Sequence, residues 1–112
     1  MTQKQFDTAV TDQLQHCMEL LTAKGREYTQ DMETVPELDR LSHFKKAAAL
    51  MGQSPEQALM GMLSKHLVSI SDMCSEKYYY FPKEMWQEKI TDSINYLLIL
   101  RAMIEEESNE QD

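Results

Sequence analysis

The sequence is short of the residues that staple or interrupt a chain: 112 residues hold two cysteines, three glycines and three prolines. Cys17 and Cys74 lie far apart, each inside an apolar helical pattern, which argues against a disulfide framework and gives no Cys/His spacing for structural zinc. Both are expected as buried free thiols in a reducing compartment, kept protonated and inert by apolar surroundings. Positive charge is also scarce. The net charge of −8 speaks against a nucleic-acid backbone as a general partner, since phosphate affinity needs clustered Lys and Arg. Five of the nineteen acids fall in the last eight residues, EEESNEQD, so the remainder carries −3. Residues 108–112 are accordingly expected as a solvated, disordered acidic tail, and 1–107 as a single helical domain. No apolar run approaches membrane-spanning length and the start MTQKQFDTAV has no signal-peptide core, which predicts a soluble cytoplasmic protein with no membrane contact. A domain of this size buries only about two-thirds of its unfolded surface, which favours a homo-oligomer.

What is present is helical periodicity. Phe6, Val10, Leu14, Cys17, Met18 and Leu21 share one face of a helix over about 4–24, with Gly25 at a stop position. REYTQDMETVPE has no period and reads as a connection. Leu41, Phe44, Ala47, Ala48 and Met51 make a short helix ended by Gly52. Ser54-Pro55-Glu56-Gln57 spells a capping box with proline at the first helical position, opening a third helix to about Cys74 with the core stripe Leu59, Leu63, Leu67 and Ile70. SEKYYYFP reads as a loop or a short strand. Pro82 opens the last and longest helix, roughly 83–107, where Trp86, Ile90, Ile94, Leu97 and Ile104 line one side while Tyr96, Ile99, Ala102 and Met103 cover much of the other. The fold class expected is all-α: a four-helix, bundle-like domain with a long buried C-terminal helix.

That helix carries the feature bearing on function. In EKITDSINYLLILRA, Glu88, Asp92 and Asn95 stand at i, i+4 and i+7 on a stripe that continues as Ile99 and Ala102. A carboxylate buried there must be paired, hydrogen-bonded, metal-bound or protonated. Against this stands a plain alternative of equal weight, that acids in the first two turns of a helix simply favour its dipole. The third helix offers partners: His66 at the edge of the core stripe, and Lys65, Ser69 and Asp72 on an adjacent polar strip. A single histidine on an apolar edge is more often a satisfied core residue. In RLSHFKKAAAL, Arg40 and His43 share a side with Ala47 and Leu50. Together these edges suggest a polar cluster inside a bundle, where small-molecule and metal sites are commonly built. Carboxylates one turn apart suit Mg²⁺, which takes one or two of them and completes its shell with water and phosphate. Lys65, His66, Arg40 or Lys45 would then hold a phosphate chain.

EKITDSINYLLILRAMIEE resembles the helix of MazG-like all-α nucleoside triphosphate pyrophosphohydrolases that bears a Glu-x-x-Asp metal motif followed by a Tyr-containing apolar stretch. With REYTQD, HFKKAAALMG and SPEQALMGMLSKHL, the plan over roughly 20–105 looks closer still to small phage proteins grouped loosely with those enzymes. The resemblance implies an oligomeric bundle in which Mg²⁺ on facing helices promotes hydrolysis of a nucleotide to its monophosphate and pyrophosphate. Asp92 matches the family aspartate and Tyr96 the tyrosine. Lys89 stands where the glutamate belongs, with Glu88 as a substitute, and the Glu-Glu-x-x-Glu motif of the earlier helix is absent. The expected assignments are metal contact through Glu88, Asp92 and Asp72; phosphate contact or proton transfer through His66 and Lys65; and ligand contact through Asn95, Tyr96, His43, Arg40 and Tyr28. The alternative is a non-enzymatic phage-type protein that binds a host protein or a signalling nucleotide. The aromatic run YYYF fits a base-stacking platform, although packing or a subunit contact is its commoner use.

Overall fold

In the computed structural model, which describes residues 1–29, 39–77 and 79–111 and their side chains apart from 24–29 and 111, the chain is all-α, with no strand among the described residues. The helices are α1 (Gln3–Thr29), α2 (Ser42–Met51), α3 (Pro55–Ser75) and α4 (Lys83–Gln111). By its internal contacts the chain divides into two compact units, Met1–Arg40 and Leu41–Asp112.

The first unit is built on α1. Its start is a reciprocal cap: Gln5 N–H donates to Thr2 Oγ1 at 3.1 Å while Thr2 N–H donates to Gln5 Oε1 at 2.8 Å. The helix does not stop at Gly25 but runs through it to Thr29, because one glycine in a run of strong helix formers costs only about 1 kcal/mol. The stripe expected to be core is largely open: Phe6, Val10, Leu14 and Met18 are exposed, while Cys17 is buried and accepts from Gln13 Nε2 at 3.4 Å. Periodicity states which face seeks cover, not how completely it is covered.

In the second unit α3 packs on both α2 and α4. α2 ends as its sequence requires. Gly52 adopts φ 63°, its N–H reaching Ala49 O while Gln53 N–H reaches Ala48 O, which closes the last turn. A Cβ at Gly52 would meet nothing within 4 Å, so the constraint is the backbone angle alone. α3 opens on the capping box: Gln57 N–H donates to Ser54 Oγ at 3.2 Å and Ser54 N–H to Gln57 Oε1 at 2.9 Å. The core joins Leu41 and Phe44 to Leu59 and to Met103, with Met62, Tyr96, Ile99 and Leu100 against it. Leu59 and Leu63 are fully buried, Ile70 is half-buried, and Leu67, expected to complete the stripe, is exposed. Cys74 is exposed as well, and both thiols are free.

α4 departs from expectation at its end and on its outer face. It continues to Gln111, so residues 108–111, expected in the tail, are helical, and Asp112 lies outside the described residues. Leu97, Leu98 and Ile104 are exposed, and burial falls on Thr91, Ser93, Asn95 and Met103. Lys45 Nζ reaches Glu106 Oε1 at 2.7 Å, a partly exposed pair that contributes about 1 kcal/mol or less. Glu56 at the start of α3 faces Glu107 near the end of α4. The hydrogen bond between them, followed by burial and repulsion from neighbouring glutamates, raises Glu107 above the ordinary carboxyl value, and the same bond holds Glu56 below it. Glu56 Oε1 is a buried atom without a hydrogen-bond partner, and Glu107 when protonated would offer it a donor.

Leu59→Ala should lower unfolding stability by roughly 2–5 kcal/mol, read by denaturant titration. For the carboxyl pair the two directions define a window around pH 4.5. The Glu107 contribution is present at low pH and lost as pH rises through its raised value, and that of Glu56 is lost as pH falls through its lowered one. Glu107→Gln keeps a donor without titrating, so its stability relative to wild type should grow between about pH 4 and about pH 8; parallel pH profiles would show that the two carboxyls do not interact.

Candidate functional site

α3 and α4 are antiparallel neighbours, and midway along them the interface turns polar. His66 Nδ1 lies 3.8 Å from Asp92 Oδ2, both side chains being largely shielded. That is an ion pair when His66 is protonated, but too long for a hydrogen bond, and Nδ1 is a buried atom with no hydrogen-bond partner. The His66 ring also packs on Tyr96, centroids 5.4 Å apart and tilted by 41°, and Tyr96 meets the edge of Phe44 from α2 at 6.5 Å. Tyr96 therefore joins the apolar core to the His66–Asp92 pair.

Asn95 stands beside them on α4, one turn after Asp92. Its side chain is 6 % exposed, and both Nδ2 and Oδ1 are buried without a partner. Burying an amide unpaired costs about 1–3 kcal/mol per polar group, and native interiors rarely tolerate it. The other buried polar residues nearby are accommodated: Ser93 Oγ donates to Lys89 O at 2.8 Å, and Thr91 has a partner within the protein. The amide is thus a hydrogen-bonding group held in the interior in excess of what the fold uses.

Of the residues singled out by sequence, the structure brings together His66, Asp92, Asn95 and Tyr96. Glu88, Asp72, Lys65 and His43 of the same unit stay exposed. Glu88 is exposed and makes no ion pair among the described residues; with no cation to meet, a glutamate stays in water because desolvation would be costly. Asp72 and Lys65 are exposed. His43 is exposed, its ring edge-on to Phe44 at 6.0 Å, and with Leu50 at 87 % exposure that edge of α2 faces outward. Arg40 is half-buried in the first unit and, like His43, has a partner in the protein. The Tyr28 side chain lies outside the described residues. Among the described residues no three His, Cys, Asp or Glu gather as a metal site; of the set expected to hold Mg²⁺, Glu88 and Asp72 are exposed and Asp92 is half-buried. Thr91 was missed by sequence reasoning; the signal was the i, i+4 row Thr91, Asn95, Ile99 and Met103, which runs beside the stripe read from Glu88 and is the better buried of the two.

The chain matches no family model, and no curated protein or solved structure proves similar to it. Among the described residues no helix is long and apolar enough to cross a membrane.

Asn95→Leu keeps the branched shape and removes both unpaired polar atoms. It should leave stability unchanged or raise it by about 1–3 kcal/mol; a fall of that size would mean that the amide is satisfied by the fold and serves structure.

Proposed function

We propose that the α3–α4 interface binds a nucleotide or a similar phosphorylated small molecule, in keeping with the MazG-like resemblance, and that binding is its primary task. One observation carries this reading: the Asn95 amide and His66 Nδ1, buried and without a hydrogen-bond partner, lie on facing helices around Asp92 and Tyr96. Each element has a definite capacity. Protonated His66 attracts a phosphate oxygen and Asp92 orients its ring. Asn95 offers a donor and an acceptor side by side, and Tyr96 supplies a flat apolar wall. Lys65, exposed one residue from His66, adds positive charge at the rim.

Hydrolysis to a monophosphate and pyrophosphate, with Mg²⁺, is the reaction that the resemblance implies. The outward placement of Glu88 and Asp72 favours the binding reading over it. If the protein turns over a nucleotide, His66 is the group placed to move a proton to or from an attacking water, with Asp92 behind it. The exposed residues Leu97, Leu98 and Ile104 on α4 support self-association or a protein partner, and a cytoplasmic setting accords with both readings.

A thermal-shift series with nucleoside mono-, di- and triphosphates, with and without Mg²⁺, tests this. A ligand at one hundred times its dissociation constant adds about 2.7 kcal/mol and, at about 4–8 °C per kcal/mol for a folding unit of this size, should raise Tm by roughly 11–22 °C. His66→Ala and Asn95→Leu should each reduce the shift. Pyrophosphate or phosphate release lost in His66→Ala would identify a hydrolase; an unmoved Tm with every nucleotide would overturn the reading.

A further inference from the structure

The opposite end of the α3–α4 pair holds a second feature that the His66–Asp92 site does not use. Where α3 gives way to α4, a cleft of about 480 Å³ opens among Met73, Phe81, Trp86, Tyr79 and Tyr80, with Glu76 and Lys83 at its charged edges. Its volume is in the range of small-molecule sites. Met73 is buried and forms the floor. Phe81 stands edge-on to Trp86 at 6.2 Å and meets Tyr79 at 4.9 Å, so three rings hold one another in place. The outer rings are not consumed by packing: Tyr79 is 65 % and Tyr80 91 % exposed. Proline at 82 precedes Lys83, the first residue of α4, and fixes the approach of the chain to the helix.

The charges at the rim decide what such rings would hold. Glu76 already has a partner within the protein. Lys83 has no ion pair among the described residues and leaves a positive charge beside the aromatic surface. A flat, π-faced ligand with an attached anion meets both. A cationic side chain would gain the ring faces but would find Lys83 beside it and Glu76 already engaged.

We propose that this cleft is a nucleobase-stacking site that takes a nucleoside monophosphate, the base lying on Tyr80 and Tyr79 against the Phe81–Trp86 pair and the phosphate turned to Lys83. Aromatic faces bind any base, so selectivity among bases is weak. The site is separate from the His66–Asp92 pair: Met73 follows His66 by two turns of α3, about 10 Å. It stands whether or not that pair binds a ligand.

Trp86 is the single tryptophan of the chain and lines the cleft, which makes its fluorescence a local reporter. Titration with AMP should give a saturable change, adenosine a weaker one and inorganic phosphate none. Tyr80→Ala should weaken AMP by roughly 5- to 100-fold, the range given by loss of one base–aromatic contact. Lys83→Ala should bring AMP to the affinity of adenosine. Both residues are exposed, so circular dichroism should show unchanged helix content. Asn95→Leu, which removes the other site, should leave the Trp86 response intact. No saturable response, or one that survives both cleft substitutions, would overturn the proposal. So would a Trp86 signal that follows protein concentration instead of AMP, which would make the cleft a contact between copies.

Discussion

Contact between α3 and α4 is the constraint from which the rest of the second unit follows. α4 turns to α3 a face that is apolar toward its C-terminal end, through Ile99 and Met103, and polar nearer its start, through Thr91, Asp92 and Asn95. Leu59, fully buried, clusters with Met103 and fixes the depth at which the helices meet. Burial of such a side chain stabilises by about 1.5–3 kcal/mol, set against the cost of the unpaired amide on the facing helix. The apolar half of the interface thus holds the polar half in the interior, where it would not remain by itself.

Along this pair three chemical zones follow one another. At the start of α3 two carboxyls face each other, Glu107 held above and Glu56 below the ordinary carboxyl value. In the middle, His66, Asp92, Asn95 and Tyr96 gather polar atoms in a shielded space against the core. At the turn between the helices, aromatic rings stand partly in water with a lysine at their edge. Tyr96 couples the apolar core to the polar middle zone, since its ring touches both Phe44 of α2 and His66 of α3. Removing it would open the core and the polar cluster together.

The functional reading rests on a contrast between groups that the fold satisfies and groups that it does not. Ser93 and Thr91 are buried hydroxyls with partners inside the protein. Asn95 and His66 Nδ1 are buried atoms without one. In the proposed reading the amide is held in the interior for contact with a ligand. Glu88 and Asp72 are exposed.

Local chemistry was legible in the sequence. Ser54 and Gln57 capped α3, Gly52 took the left-handed turn that ends α2, and the 3.6-residue period located the helices, because each depends on neighbours within one or two turns. His66, Asp92, Asn95 and Tyr96 were also marked, since polar residues interrupting an apolar pattern are visible without coordinates. Contacts between helices were not legible. Rows of residues on α4 lie only tens of degrees apart around the axis, and the register of α3 against it decided that Asn95 is buried while Glu88 is exposed. The same register left Leu67, Leu97 and Ile104 on the surface despite core-like spacing. Only the tertiary structure, by setting which helix covers which face and at what depth, decided which of the marked groups meet.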